Sequence, residues 1–203
     1  YTERQLRVIV DEAARHDLPV MVHAHGDEGA RAAVLAGARS IEHGTYLSEE
    51  TLALMKERGT WFVPTWVTMN EMNEPKYDYV LRLRGKHMVP QLEKTFKAAH
   101  RLGVKIATGA DNYYESESIN RISLEVAHFV RMGMSNFEAL HSATTVSAEL
   151  LRLQEITPAP TSRRRSASAS RRATSDGRPP RSCRASPSAT SSTRSNLPKR
   201  SAI

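Results

Sequence analysis

An α/β fold built on parallel strands is what the first 156 of the 203 residues predict. Four short apolar runs alternate with stretches of helical periodicity. Runs that are apolar throughout suit strands covered on both faces, as in parallel sheets. Each run ends in polar residues. Helix alternating with strand at this spacing implies right-handed crossover units. Four strands make either half of an eight-stranded barrel or a small doubly wound sheet.

The elements follow in order. Residues 3–16 form a helix with Leu6, Val8, Ile9, Ala13 and Ala14 mostly on one stripe. Leu18-Pro-Val-Met-Val-His is the first strand. Glu28 to Leu35 is an Ala-rich helix stopped near Gly37. Ala38-Arg-Ser-Ile-Glu-His-Gly is the second strand with its exit. Ser48 caps the next helix, Glu49 and Glu50 suit the positive end of its dipole, and Gly59 stops it. Thr60-Trp-Phe-Val-Pro-Thr is the third strand. A broken helical region covers roughly 75–102, and Gly103 ends it. Val104-Lys-Ile-Ala-Thr-Gly-Ala-Asp is the fourth strand, and helices near 119–132 and 135–153 complete this part.

The charge is divided unevenly. Residues 1–156 hold 18 basic and 21 acidic side chains, whereas 157–203 hold 11 basic and one acidic, Asp176. The basic pI therefore describes the tail and does not mark the first part as a nucleic-acid binder. The tail has 12 Ser, 10 Arg and 6 Pro, with Leu197 and Ile203 its only large aliphatics. Such a segment buries too little apolar surface to offset chain entropy, and disorder is expected. Lacking aromatics, it could bind nucleic acid only nonspecifically, through charge. The single cysteine, Cys183, excludes a disulfide scaffold and a cysteine-based zinc site. No apolar run approaches a bilayer span. A cytoplasmic location is favoured.

Chemistry is expected at three strand exits. Val22-His23-Ala24-His25-Gly26 carries two histidines at i, i+2, which share a face of a strand. Ile41-Glu42-His43-Gly44 and Thr108-Gly109-Ala110-Asp111-Asn112 end the second and fourth strands. In βα barrels the functional groups sit at this end of the strands. Imidazole with carboxylate suits zinc, manganese, iron or cobalt. Such an ion brings the pKa of water toward 7, and a carboxylate such as Asp111 can move the proton to a leaving amine. A lone histidine at a strand end is more often a hydrogen-bonded structural residue. Three such features in register favour a site. His16 and His100 near helix C-termini, and His87, His128 and His141, read as surface or packing residues. The methionines, Trp61 and Trp66 read as packing and pocket wall.

VHAHG, SIEHG twenty residues later and TGADN together resemble strands five, six and eight of the amidohydrolase superfamily. The nearest flavour is its imidazolonepropionase-like and Xaa-Pro dipeptidase (prolidase-like) branch. ALHSATTVSAELLRL at 139–153 resembles the helix that follows the barrel there. The resemblance covers about 1–156 and implies a partial (β/α)8 TIM barrel, strands five to eight with their helices, holding one or two divalent ions, zinc foremost. It implies that His23 and His43 bind one metal, and that Asp111 binds the other and shuttles the proton. His25, Thr65, Asn112 and Tyr114 would line the substrate site. The substrate would be a small cyclic amide or dipeptide with a C–N bond to cleave, and the protein could be a homo-oligomer with no membrane and no specific nucleic-acid partner.

The family's first-strand HxH pair and bridging strand lysine have no counterpart here; the first lysine, Lys56, falls in a helix and Lys105 at the wrong end of its strand. Little activity is therefore expected of this chain alone. The rival reading is a non-catalytic remnant whose basic tail binds nucleic acid or acidic partners. The tail's Arg/Ser/Ala/Pro/Thr mixture is also what GC-rich codons give when read out of frame. Shifting the frame near codon 157 should restore a Pro-Gly and an Ala-Asp-Leu-like strand; sequencing the locus checks this, and the idea fails if no frame contains them.

Overall fold

The structure, a computed structural model, describes residues 1–111 and 122–153. Asn112, Tyr114 and the tail 157–203 lie outside the described residues. Helix α1 (Glu3–Arg15) opens with a capping box in which the Thr2 hydroxyl accepts the Gln5 N–H and the Gln5 side chain returns to the Thr2 N–H. Strand β1 (Met21–Ala24), helix α2 (Asp27–Ala36), strand β2 (Ser40–His43), helix α3 (Glu49–Arg58) and strand β3 (Trp61–Val63) follow. The sheet is parallel in the order β1-β2-β3, with Ala24 opposite His43 and Glu42 opposite Val63. Helices α4 (Trp66–Glu71), α5 (Tyr79–Leu102), α6 (Ile122–Arg131), α7 (Asn136–Ser142) and α8 (Thr145–Leu150) complete the described fold.

The two faces of the sheet differ. Ile41, Phe62 and Ile106 point into the main core with Ala30, Ala33 and Val34 of α2, Leu52 and Met55 of α3, Leu92 and Phe96 of α5, and Phe129 of α6. Trp61, Val63 and Ala107 point the other way and are covered by Val146 and Leu150 of α8. Arg39 secures that second layer. Its guanidinium lies 3.8 Å from the centre of the Trp61 ring and donates to the Glu149 and Leu150 carbonyls at the end of α8. The Glu149 carbonyl also accepts the Arg152 N–H at 3.2 Å.

Four expectations are corrected. The stretch from Val104 is not a full strand: it pairs with β3 by one parallel bridge, Phe62 to Ile106. The Phe62 N–H donates to Lys105 O and the Ala107 N–H to Phe62 O. The next rung would need an N–H from residue 64, which is Pro64, and proline has none. Second, Val8 and Ile9 of α1 are exposed and the inward stripe runs through Leu6 and Val10, because only one side of this helix meets α2. Third, 135–153 is two helices, not one, with Ala143 and Thr144 between α7 and α8. Fourth, α4 was not foreseen. It is six residues long and begins directly after Thr65, so the helical region starts well before 75. Among the described residues no helix is long and apolar enough to cross a membrane.

Phe62 has no exposed surface and joins the sheet to α5 and α6. Phe62→Ala is expected to cost about 3–5 kcal/mol, read as a lowered urea midpoint with an unchanged slope.

Candidate metal centre

The parallel register brings the three strand exits to one level. His23, the last but one residue of β1, lies on the face turned away from the main core, since its neighbours Val22 and Ala24 pack into that core. His43 would by alternation follow Ile41 into that core. It does not, because its φ is 69°. The Gly44 N–H returns to the Glu42 carbonyl two residues back and also to Ala24 O, both at 3.0 Å. His43 is thus the centre of a γ-turn of the strained, positive-φ kind. Gly44 continues the turn at φ 52°, and a Cβ there would stand 2.6 Å from the Phe62 ring. No other residue fits.

The three imidazoles meet above the sheet. His25 and His43 stack with centroids 4.8 Å apart, and His23 stands edge-on to them at 4.9 and 4.5 Å. One ring nitrogen from each lies within 4.8 Å of the others, close enough to share one ion. Two of the rings are anchored through Nδ1. His25 Nδ1 is 2.8 Å from Thr45 Oγ1, and His43 Nδ1 is 2.6 Å from Thr65 Oγ1. The Thr65 hydroxyl donates its only proton to the Pro64 carbonyl at 2.8 Å. With its proton so placed it accepts from His43 Nδ1–H, the tautomer that leaves the lone pair on Nε2. An imidazole held this way through its other nitrogen is the usual arrangement of a metal-binding histidine.

Burial disfavours the charged form of two of the three rings. Burial, then the neighbouring His25 and His23, push the His43 pKa down to about 4. Burial and His23 also lower that of His25, with the Asp111 charge opposing. Neutral imidazole is the form that binds metals. Burial raises the pKa of Glu42, which accepts the Ser40 hydroxyl at 2.6 Å; the Asp111 charge adds to the rise.

Asp111 is exposed, with φ 45°. Its carboxylate is not one of the three clustered ligands, yet its charge reaches both His25 and Glu42. The buried Thr68 hydroxyl fixes the approach, 2.7 Å from Ala110 O and 3.0 Å from Asp111 O. Gly109 passes so near β3 that a Cβ would lie 2.5 Å from Val63 Cγ1. Among the described residues five other than glycine have positive φ, and three of them are His43, Thr65 and Asp111. Strain of this kind persists only where surroundings enforce it, and it gathers at functional sites.

The structure thus places His23, His25 and His43 side by side with Thr65 beneath, and Asp111 within electrostatic range. His25 belongs to the nitrogen cluster itself, where the resemblance implied a residue facing the pocket as a substrate contact or a support to the ligands. Sequence reasoning did not single out Thr45, Thr68 or Glu125. Glu125 has no exposed surface and accepts the Trp66 and Val67 N–H groups, each at 2.9 Å. Burial pushes its pKa up to about 7 against those two bonds. Its one signal is a lone carboxylate among Ile, Leu, Val and Phe in α6. His128 is a buried packing residue stacked on Trp66.

Comparison with known proteins places the chain among amidohydrolases. A sequence model of the amidohydrolase family matches residues 1–156. Ochratoxinase of Aspergillus niger is 33% identical over 152 residues, covering 71% of this chain and 30% of its own length. An uncharacterised protein of Mycobacterium tuberculosis is 31% identical over 154 residues, 70% of this chain and 40% of its own. Among solved structures, a Xaa-Pro dipeptidase with bound methionine superposes with a TM-score of 0.69 at 34% identity, over 76% of this chain and 39% of that one. A prolidase complexed with N-methylphosphonate-L-proline gives 0.68 at 30% identity, over 75% and 38%. The chain thus spans 30–40% of the length of the curated relatives it matches.

The depressed His43 value predicts a pH effect. A histidine whose folded pKa is lowered contributes stability above its unfolded value of about 6.5, and loses it as pH falls toward about 4. In chelator-treated protein the His43 ring resonances should stay those of neutral imidazole at pH 5.5. The drop in urea stability between pH 6.5 and 4 should be smaller in His43→Gln than in the parent chain; equal drops would contradict the burial argument.

Proposed function

Because this chain belongs to the amidohydrolase family, we propose that it forms part of a metal-dependent hydrolase barrel acting on carbon–nitrogen bonds. The carrying observation is the trio of imidazoles at the C-terminal ends of adjacent parallel strands, two of them oriented by threonine hydroxyls. His23 and His43 hold a divalent cation, zinc by the chemistry of the donors, and His25 supplies the third nitrogen. When bound, the ion polarises an amide carbonyl and activates water.

The residues of the chain do the rest. Thr65 and Thr45 hold two of the three rings in place, so those two need not be frozen when the ion enters. Asp111 stands at the exit beside Ala110, exposed and held by its backbone, and takes a proton from water and passes it to the departing nitrogen. A cleft of about 460 Å³ opens beside His25, lined by Met72, Leu81 and Met88 with Arg84 and His87. It suits a small substrate with an apolar body, and a dipeptide or cyclic amide fits that description. The relatives named for Xaa-Pro dipeptides and ochratoxin support this substrate class. The three-stranded sheet is read as strands five to seven of the barrel, and the stretch to Asp111 as strand eight.

The test has two readouts. The purified chain should take up zinc, and His23→Ala and His43→Ala should each weaken binding at least about tenfold by competition with a chelating dye. Amine release from a panel of dipeptides and cyclic amides should be slow for this chain alone, abolished by chelator, and lost in Asp111→Asn. Failure to bind zinc would overturn the metal centre. Turnover that persists under chelator would overturn the mechanism.

A further inference from the structure

Thr65 is a poor residue for the conformation it holds. It is β-branched, it sits at φ 51°, and it precedes the first turn of a six-residue helix. A helix this short contributes little stability by itself. Something outside it must keep Thr65 in the left-handed region, because that conformation places Oγ1 against His43 Nδ1. The side chain that does so comes from another element. Glu125 of α6 is wholly buried, and its two carboxylate oxygens accept the first two N–H groups of α4, from Trp66 and Val67. Those groups belong to the orphan donors that every helix start presents, and here no capping side chain of α4's own meets them. A buried carboxylate is costly unless fully hydrogen-bonded, so carboxylate and helix start satisfy each other. The residue next along the chain from this clamp is Thr65.

We propose that Glu125 is a positioning residue of the metal centre, acting through the α4 N-terminus and Thr65 to fix the orientation and tautomer of His43. The relay has three links: Glu125 oxygens to Trp66 and Val67 N–H, the covalent step back to Thr65, and Thr65 Oγ1 to His43 Nδ1 at 2.6 Å. The inference rests on His43 being a metal ligand, and its test separates the two ideas. Glu125 itself touches neither metal nor substrate.

The experiment uses the full chain with ¹⁵N-labelled histidine, as the parent, Glu125→Gln, Thr65→Val and the double variant. Glutamine keeps the shape but replaces one accepting oxygen with an NH₂ that cannot accept. In metal-free parent protein the His43 ring should be protonated at Nδ1. In Glu125→Gln, with cooperative melting retained, the ring should move toward a mixture of tautomers, and zinc should bind about tenfold or more weakly. In the double variant the two losses should not add, because each breaks the same relay. Additive losses, or an unaltered His43 ring in folded Glu125→Gln, would overturn the proposal. Should that variant fail to fold, amide exchange in the parent decides. Zinc should slow exchange at Trp66 and Val67 severalfold by reciprocity of coupling, and unchanged rates would overturn it. If the parent binds no zinc, the metal reading fails, and the tautomer comparison alone settles whether Glu125 orients His43.

Discussion

Parallel register is the constraint on which the rest of the molecule depends. With Ala24 opposite His43 and Glu42 opposite Val63, the ladder brings residues scattered over some ninety positions of sequence to one edge. Hydrophobic alternation enforces that register: a one-residue slip would turn Ile41 and Phe62 out of the core and drive Glu42 and Trp61 into it. The core behind the sheet thereby fixes the height of each histidine in front of it.

What the ladder cannot do is aim the side chains, because a regular strand offers only two directions. The chain leaves regular geometry at each exit. His43 turns through a γ-turn, Thr65 and Asp111 enter the left-handed region, and Pro64 ends the pairing of β3 by lacking a donor. Hydroxyl groups then finish the aiming. The result is a pair of imidazoles, His25 and His43, that burial and crowding disfavour from charging and that threonine hydroxyls orient through Nδ1, with the exposed His23 beside them.

The strands and most helices were legible in the sequence because their signals are local. The apolar run ending in VHAHG, the Ser48 cap and the stops at Gly37, Gly59 and Gly103 each state their own conformation, and the three glycines take positive φ at helix ends. The imidazole cluster was legible in outline because HxH and EHG fall at strand exits. What was not legible depends on pairs distant in sequence. The fourth strand shrinks to a bridge because of a proline in its neighbour. The short helix α4 owes its start to a carboxylate about sixty residues away. Val8 and Ile9 match the helical period, yet the helix meets a partner on one side only. Periodicity reports which face could be buried, and only the assembled neighbours decide which one is.

The left-handed residues at the strand exits carry a consequence for protein engineering. Each such conformation costs on the order of 1–3 kcal/mol in a residue other than glycine, and glycine or asparagine at His43, Thr65 or Asp111 would recover part of it. A selection for thermal tolerance alone would therefore favour replacing residues at the candidate metal centre. A library screened only for heat resistance should drift toward a sturdier protein without the strand-exit geometry that gathers the imidazoles, so the three positions are best held fixed while the rest of the chain is varied.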